Sequence, residues 1–367
     1  MEIRCSTCGA SYPLDTREWV CVRCGGLLEI AGAPTFAREN IERDVSSLWR
    51  YRAMLPLPEN AKPYSMGEGW TPLIPITLNE RNIYCKLDFL NPTGSFKDRG
   101  TSVIVSACKA LGIQHVVEDS SGNAAASLAG YSAFAGLHAT IFVPAHASPM
   151  KLAQIEVYGA ELKKIEGVRE KAAEAAQAAV VNGDAYYASH YYNPFFVAGM
   201  QTTAWEIWEQ LGERAPDTII MPAGHGTNMA GMYRGFAALH AHGLIDKLPR
   251  FIAAQSEMVA PIALAYERGE SEPAQVEPYK TIAEGIANSK PVHGVELLRI
   301  IRETGGAAIA ASEEEIRTAR VKLARHGVFV EPTSATAIAV LDKITGQLGK
   351  DEITVVSLTG NGLKAPL

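Results

Sequence analysis

Asn-Pro-Thr-Gly-Ser-Phe-Lys-Asp-Arg-Gly, residues 91–100, is the stretch around which the rest of the chain is interpreted. Turn-forming residues lead directly into Lys97, at the predicted start of a helix. The positive end of a helix dipole favours the neutral amine of a lysine, and the neutral amine is the form that attacks a carbonyl group. A solvated surface lysine is the commoner outcome for a single lysine, so the motif needs support from elsewhere in the chain.

Short apolar runs and amphipathic, alanine-rich segments alternate from Ile83 onward. The runs lie at 83–89, 115–120, 139–145, 160–165, 185–190, 218–224, 250–256 and 353–360. Helical patterns lie at 98–111, 124–135, 149–158, 168–181, 195–211, 229–242 and 313–325, and Ser312 with Glu315 forms a capping-box pattern. This alternation predicts an α/β fold with parallel-rich sheets. Two lobes are favoured, and a closed barrel is the competing arrangement because it also needs about eight such units.

Composition excludes several classes of function. The chain has 367 residues, 47% of them hydrophobic and 20% charged, with a net charge of −6. No block of like charges suggests a nucleic acid or a membrane surface as partner. The chain opens with a polar segment, and no apolar run reaches the roughly 18 residues that a membrane span needs. We therefore expect a cytoplasmic protein that binds neither nucleic acid nor membrane.

Four of the six cysteines form two Cys-x-x-Cys pairs near the N-terminus: Cys5 with Cys8, and Cys21 with Cys24. Two such pairs match the tetrahedral four-thiolate site of structural zinc, whereas four unliganded buried cysteines are the less favoured alternative. We predict a zinc-ribbon-like unit over residues 1–32 with Zn²⁺ in a structural role.

Three further motifs lie at predicted strand ends. Ser120-Ser-Gly-Asn123 opens a small-residue helix whose backbone N–H groups can hold a carboxylate. The segment 224–228, Gly-His-Gly-Thr-Asn, allows close approach to a phosphate. Thr359 follows the last strand and offers a hydroxyl. Each alone is as well explained by a cap or a turn. Together with Lys97 they supply an aldehyde-binding lysine, an amide, a phosphate loop and a hydroxyl, which is a complete pyridoxal 5'-phosphate (PLP) site.

The ordered set of motifs resembles the threonine synthase-like group of PLP enzymes, within the tryptophan synthase β-like superfamily of fold type II. The likeness extends from about Arg50 to Lys364 and includes Leu-Thr-Gly-Asn-Gly-Leu-Lys at 358–364. It implies a two-lobed α/β enzyme, with a cofactor lysine and substrate-carboxylate lobe at 83–210 and a cofactor-phosphate lobe at 211–367. Residues 33–82 would be a linker and edge segment. Homodimers are usual in this group.

The resemblance also implies roles for individual residues. Lys97 would be the Schiff-base lysine and would move the proton at Cα, Phe96 would pack around the cofactor, and Asn123 would bond its ring hydroxyl. Thr359 would meet the pyridine nitrogen. The cofactor phosphate would lie on Gly224, His225, Gly226, Thr227 and Asn228. The substrate carboxylate would lie on Ser120, Ser121, Gly122 and the amide of Ala124.

Departures from the family pattern concern the substrate. Phe196 stands where threonine synthases have a phosphate-binding arginine, and Tyr191 where they usually have a serine. Lys151 and His190 are the candidate replacements for that cation. Aromatic residues here predict either an apolar substrate pocket or ordinary core packing. Glu284, in an Ala-Glu-Gly segment similar to that of serine and threonine dehydratases, lies either near the cofactor ring or at the surface.

The favoured interpretation is a PLP-dependent carbon–oxygen lyase. It would dehydrate and deaminate an unphosphorylated β-hydroxy amino acid of the threonine, serine or phenylserine type, giving a 2-oxo acid and ammonia. The runner-up is a threonine synthase, which converts O-phosphohomoserine and water to threonine and phosphate. A catalytically dead interaction protein is the third possibility, and the presence of Lys97 argues against it.

Overall fold

The computed structural model describes residues 2–32, 36–147, 149–167, 169–181, 183, 185–277 and 279–365, with the backbone alone for 149–151. The start of the predicted linker segment (33–35) and the first residue of the predicted helix 168–181 lie outside the described residues. No helix among the described residues is long and apolar enough to cross a membrane.

The strands and helices alternate along most of the chain. The strands are β1 Ile3–Cys5, β2 Ser11–Tyr12, β3 Leu28–Ile30, β4 Leu73–Leu78, β5 Arg81–Lys86, β6 His115–Glu118, β7 His138–Pro144, β8 Glu161–Ile165, β9 Tyr186–Tyr187, β10 Thr218–Pro222, β11 Arg250–Ser256, β12 Ala307–Ala311 and β13 Thr354–Ser357. The helices are α1 Lys97–Ala110, α2 Asn123–Ala135, α3 Pro149–Val157, α4 Arg169–Val181, α5 Pro194–Gln210, α6 Thr227–Ala241, α7 Pro261–Glu267, α8 Gly294–Glu303, α9 Glu313–Ala324 and α10 Pro332–Ile344. The capping box predicted at Ser312 and Glu315 is present at the start of α9.

Unit 1 comprises residues 1–69 and 97–199. It contains an antiparallel three-stranded sheet in the order β2-β1-β3 and a parallel four-stranded sheet in the order β8-β7-β6-β9. A small apolar cluster under the first sheet includes Ile3 and Leu28. Val117, Phe142 and Ala176 belong to the cluster that packs α4 against the second sheet.

Unit 2 comprises residues 70–96 and 200–367. Its six-stranded sheet has the order β12-β11-β10-β13-β5-β4, parallel except for the β4–β5 pair. Apolar side chains of α9 and α10 pack with those of the sheet to form its core. The crossovers between non-consecutive strands are those of open α/β sheets, in which ligands bind beyond the carboxyl ends of the strands.

The prediction of an α/β fold with parallel-rich sheets is confirmed. The described strands form separate open sheets and not a closed barrel, because β12 and β4 stand at the two edges of the larger sheet. Residues 83–96 and 200–210 of the predicted first lobe group with unit 2. The four predicted domain ranges otherwise stay a prediction.

Candidate active site

Lys97 is the first residue of α1, as its motif predicted. The helix start is fixed by Asp98, whose buried carboxylate accepts a 2.6 Å hydrogen bond from Ser127 of α2. Lys97 Nζ lies 5.5 Å from the centre of the Phe196 ring. That ring occupies the space beside Gly100, where an added Cβ would come within 2.3 Å of it. The final glycine of the lysine motif is therefore required by the packing of Phe196.

Ser120, Ser121 and Gly122 form the connection from β6 to α2, with Asn123 as the first helical residue and Ala124 buried behind it. The Ser120 hydroxyl accepts a 3.2 Å hydrogen bond from the Gly122 amide, which holds the loop in a tight bend. No side chain caps the helix start, so the first amides of α2 point beyond the strand end without an intrahelical acceptor. A helix start of this kind can bind an anion such as a carboxylate.

Two tyrosines hold the carboxylate of Asp119 at the same strand end. Tyr187 donates to Oδ1 at 2.7 Å and Tyr191 donates to Oδ2 at 2.6 Å. Burial, together with the charge of Glu118, raises the pKa of Asp119. The hydroxyl of Tyr191, a predicted substrate residue, is therefore already used in a hydrogen bond to Asp119.

Glu118 and His190 form a second buried pair. Nδ1 of His190 lies 3.2 Å from Oε1 and 3.3 Å from Oε2 of Glu118, and the backbone amide of His190 donates to Oε2 at 3.1 Å. Burial raises the pKa of Glu118 to about 7 and holds the pKa of His190 well below its ordinary value. His190 is thus neutral, and it cannot supply the positive charge that the sequence had offered as a phosphate partner.

Phe196 is fully buried, with its ring 6.1 Å from that of His190. It packs within unit 1 against α1, which agrees with the core-packing alternative for this residue. Lys151, the other candidate cation, has no described side chain. A positive charge that the sequence reasoning missed is Arg169 at the start of α4, which acts electrostatically on Asp119 and His190.

In unit 2, the glycine loop lies between β10 and α6. Gly226 has φ +105° and precedes Thr227, the first residue of the helix, and a Cβ on Gly226 would lie 2.8 Å from Cβ of His293. Gly224 is equally constrained, since a Cβ there would lie 2.7 Å from Nδ2 of Asn288. Asn228 is buried, and neither its amide nitrogen nor its amide oxygen has a hydrogen-bond partner. A buried amide without partners costs free energy unless a ligand completes it.

The Ala-Glu-Gly segment lies against that loop. An added Cβ on Gly224 would meet the Gly285 carbonyl oxygen at 3.2 Å and Ile286 Cα at 3.3 Å. Glu284 itself is exposed. The backbone of the Ala-Glu-Gly segment, and not the Glu284 carboxylate, therefore packs against the glycine loop. His225 is half-buried within the glycine loop.

Thr359 follows β13 and is held by Ser334 of α10. The two hydroxyls lie 3.0 Å apart, and Ser334 Oγ also accepts from the backbone amides of Thr359 and Gly360. The Phe96 amide donates to the Thr359 carbonyl at 2.9 Å, so the residue before the lysine is tied to the same strand end. Ser334 was missed from the sequence because nothing marks a helical serine far along the chain as a partner of Thr359.

The residues fit PLP on structural grounds. The fit rests on the buried, unpartnered amide of Asn228, the restricted glycines and the lysine at a helix start. Of the predicted cofactor residues, Lys97 and Asn123 belong to unit 1, and Phe96, Thr359 and the glycine loop belong to unit 2.

The four N-terminal cysteines form a cluster in which the sulfur atoms all lie within 4.8 Å of one another. Cys5 and Cys24 sulfurs are 3.6 Å apart, and Cys8 and Cys21 sulfurs are 3.5 Å apart. Sulfurs on a tetrahedron with bonds of about 2.3 Å would be separated by about 3.8 Å, so the donor set and its size suit one metal ion. The cysteines form no disulfide.

Comparisons with known proteins agree with this geometry. Threonine synthase from Methanocaldococcus jannaschii is 36% identical over 99% of this chain and 93% of its own length. Threonine synthase from Mycobacterium tuberculosis H37Rv is 37% identical over 86% of this chain and 88% of its own length. Among solved structures, a T.th. threonine deaminase matches with a TM-score of 0.66 and 25% identity, over 79% of this chain and 92% of that one.

A family model described as pyridoxal-phosphate dependent enzyme matches residues 64–360. The match runs from before Phe96 to just after Thr359, so it spans every predicted cofactor residue. The resemblance proposed from the motifs is therefore confirmed. The chain belongs to the pyridoxal-phosphate dependent enzyme family and is a threonine synthase-like member of it.

Proposed function

We propose that this PLP-dependent lyase dehydrates and deaminates an unphosphorylated β-hydroxy amino acid of the threonine, serine or phenylserine type, giving a 2-oxo acid and ammonia. The supporting observation is the buried carboxylate of Asp119, at the strand end that leads into the predicted carboxylate-binding loop. A phosphate group on the substrate, in addition to the cofactor phosphate, would be repelled by this negative charge in a poorly solvated site. Phe196, at the position of the family's arginine, adds no compensating cation.

The residues divide the work as follows. PLP, when bound, supplies the electron sink that stabilises negative charge at Cα. Lys97 holds its aldehyde and then takes the Cα proton on Nζ, while Ser120, Ser121 and the amides of Gly122 and Ala124 hold the substrate carboxylate. The side chains that would hold the cofactor are Phe96, Asn123, His225, Thr227, Asn228 and Thr359, with Gly224 and Gly226 admitting its phosphate.

The second candidate is threonine synthase, which is the activity named for the relatives at 36–37% identity. It requires a cation for the phosphate of O-phosphohomoserine. Arg169 is the described residue that suits this role, because its charge acts at Asp119 and His190 within unit 1.

A paired product assay on PLP-loaded enzyme separates the two functions. Phosphate and threonine are measured from O-phosphohomoserine, and 2-oxo acid with ammonia from threonine, serine and phenylserine. We expect oxo acid without phosphate release. Phosphate released together with threonine, and no oxo acid, would overturn the proposal and establish the synthase.

Arg169→Ala sharpens this test, with Lys171→Ala as the matched control on the same helix. Lys171 is exposed and pairs with Glu174. For a dehydratase, we expect Arg169→Ala to change kcat/KM for threonine by less than about 3-fold, whereas loss of a charge-assisted phosphate contact should cost a synthase about 10- to 100-fold on O-phosphohomoserine.

For the cysteine cluster we propose one structural Zn²⁺, held by Cys5, Cys8, Cys21 and Cys24 away from the chemistry. A homodimer and a cytoplasmic location complete the proposal, by analogy with the group.

A further inference from the structure

The reaction proposed above leaves one step without a residue, because the β-hydroxyl group is a poor leaving group and needs a proton. Lys97 is occupied with the Cα proton. Glu118 and His190 form a buried titratable pair in unit 1, and the charge of Lys97 acts on both residues. This inference rests on the proposed function and assigns its missing acid.

The hydrogen-bond distances fix how the two side chains are oriented toward each other. Both oxygens of Glu118 lie 3.2–3.3 Å from Nδ1 of His190, so Nδ1 faces the carboxyl group and Nε2 is the nitrogen that faces away from it. The imidazole stacks edge-on against Tyr191 at 4.8 Å and against Phe196 at 6.1 Å. Lys97 Nζ also lies 5.5 Å from the centre of the Phe196 ring. The same phenyl ring therefore contacts both the imidazole of His190 and the reactive amine of Lys97.

Three charges face the pair from the surrounding elements. Lys97 of α1 acts on both members, Arg169 of α4 acts on His190, and Asp119 of the β6–α2 loop acts on both members. Tyr187 and Tyr191 are held in their neutral forms by burial and by Asp119, to which they donate. Nearby positive charges disfavour an imidazolium, so a proton stored in this cluster resides on Glu118.

We propose that His190, backed by Glu118, is the general acid that protonates the departing β-hydroxyl group. His190 is the catalytic residue of the pair, because its Nε2–H would donate to the leaving oxygen. Glu118 acts through it as the proton store. Phe196 sets the spacing between this acid and the base Lys97.

The proton count closes over one turnover. Lys97 takes the Cα proton, and the C–H electron pair becomes the Cα–Cβ double bond. The C–O bond breaks with its pair on oxygen, which takes the Nε2 proton of His190 and leaves as water. Glu118 gives its proton to Nδ1. Lys97 later gives its proton to Nε2 of His190, and Nδ1 of His190 returns its proton to Glu118. All three residues are then in their starting forms.

The test compares two substrates that differ in their need for an acid. The β-hydroxyl group of L-serine must be protonated to leave as water, because hydroxide is a poor leaving group. The chloride of β-chloro-L-alanine leaves without an acid. Both substrates give pyruvate and ammonia. We expect Glu118→Gln and His190→Asn to lower kcat for serine by about 10²- to 10⁴-fold, and to lower kcat for β-chloro-L-alanine by less than about 3-fold. Tyr192→Phe is the control, since Tyr192 packs beside Tyr191 and has no role in the proposal.

The pH dependence of the wild-type enzyme is a second test, which does not depend on the folding of any variant. Since the acid form of Glu118 is required and its pKa is about 7, the serine rate should fall as pH rises above about 7, with a flat β-chloro-L-alanine rate over the same range. Equal losses on both substrates, or parallel pH profiles, would overturn the acid role alone. Pyruvate from β-chloro-L-alanine but no oxo acid from serine, threonine or phenylserine in wild-type enzyme would overturn the proposed function itself.

Discussion

The position of Lys97 depends on its neighbours in two ways: through the anchoring of its helix and through the packing of its amine. Its helix is anchored by the Asp98–Ser127 hydrogen bond, and its amine lies over the face of Phe196, which is held by Gly100. Asp98 and Gly100 both belong to the quoted motif, so the motif encodes the position of the lysine as well as its presence. Its partner Phe196 comes from far along the chain.

Removing the amine tests the cofactor assignment directly. We expect Lys97→Ala to abolish the visible absorbance of lysine-bound PLP and to lower turnover by more than about 10⁴-fold, because the same atom binds the aldehyde and moves the Cα proton. Absorbance spectra after PLP incubation and the oxo-acid assay are the measurements. Lys109→Ala, at the other end of the same helix, should leave both unchanged. Full activity in the Lys97 variant would end the assignment.

Glu118 also makes a stability prediction that is independent of catalysis. Its folded-state pKa of about 7 lies above the ordinary 4.5, so the folded protein binds more protons between these values, and stability falls as pH rises through this window. The isosteric Glu118→Gln change removes that loss. We expect the variant to gain on wild type by up to about 3 kcal/mol between pH 5 and pH 8, at about 1.4 kcal/mol per pKa unit.

The measurement is urea unfolding of both proteins at several pH values, with Glu314→Gln as a control at an exposed carboxylate. The difference between Glu118→Gln and wild type should level off above pH 8. A difference that is constant across the range would mean that Glu118 titrates normally.

Secondary-structure elements were predicted where the sequence pattern is regular. The helices at 98–111, 124–135 and 195–211 are present within one residue at each end. Two strands of the six-stranded sheet were missed for identifiable reasons. β4 contains Pro75, which weakens a strand pattern, and Pro is tolerated there because β4 is an edge strand. β12 is Ala-Ala-Ile-Ala-Ala, which carries few of the β-branched and aromatic residues that mark a strand.

The same reasoning explains which site residues could be predicted. Lys97, the Ser120–Asn123 loop and the 224–228 loop are contiguous motifs at strand ends, so they were found. Asp119 lies in the predicted run 115–120, but the sequence assigns it no role, because its partners Tyr187 and Tyr191 are brought to it only when β9 pairs beside β6. Periodicity specifies which face of an element is buried, but it does not specify which polar groups meet there.

Helix α5 carries a buried ion pair that no motif signals. Lys86 Nζ lies 2.7 Å from Glu206 Oε2 and donates to the Thr71 carbonyl and to Gln210, and both charged side chains are fully buried. Breaking such a pair leaves an uncompensated buried charge. We expect Glu206→Ala to destabilise unit 2 by about 3–5 kcal/mol, measured by chemical denaturation.

Two controls define that result. Lys247→Ala removes an exposed pair with Asp217 and should cost at most about 1 kcal/mol. The double variant Lys86→Met/Glu206→Leu removes both charges and should recover most of the stability. A Glu206→Ala cost below about 1 kcal/mol would show that the pair contributes no more than a surface bridge.

At the scale of the whole molecule, the N-terminal ribbon (residues 2–32) is too small to be stable from its own core. Its apolar cluster is limited to a few residues around Ile3 and Leu28. Units of this size usually need a metal or disulfides, and the cysteines here form no disulfide. Four thiolates on one ion would supply the missing free energy, since binding to such a site is coupled to folding.

Trp19 joins the ribbon to Tyr187, a partner of Asp119. Trp19, close to Cys21 in sequence, packs edge-on against Tyr187 at 5.6 Å, and Tyr187 donates to Asp119. Trp19 belongs to the same apolar group as Tyr192 and Ala172. A metal ion held by the four cysteines would thus be connected, through Trp19 and Tyr187, to the carboxylate of Asp119.

Three variants separate the metal from this route. Cys8→Ser should lower bound zinc, measured by native mass spectrometry, from one per chain to none, and should accelerate hydrogen exchange over 2–32. Trp19→Ala should keep the zinc yet raise KM for the amino-acid substrate by about 2- to 30-fold, the effect of a coupling of about 0.5–2 kcal/mol. Cys108→Ala, at a buried cysteine outside the cluster, should change neither. Unchanged KM in both ribbon variants would show that the ribbon is merely attached to unit 1, because a ribbon that positions Tyr187 must alter substrate binding when Trp19 is lost.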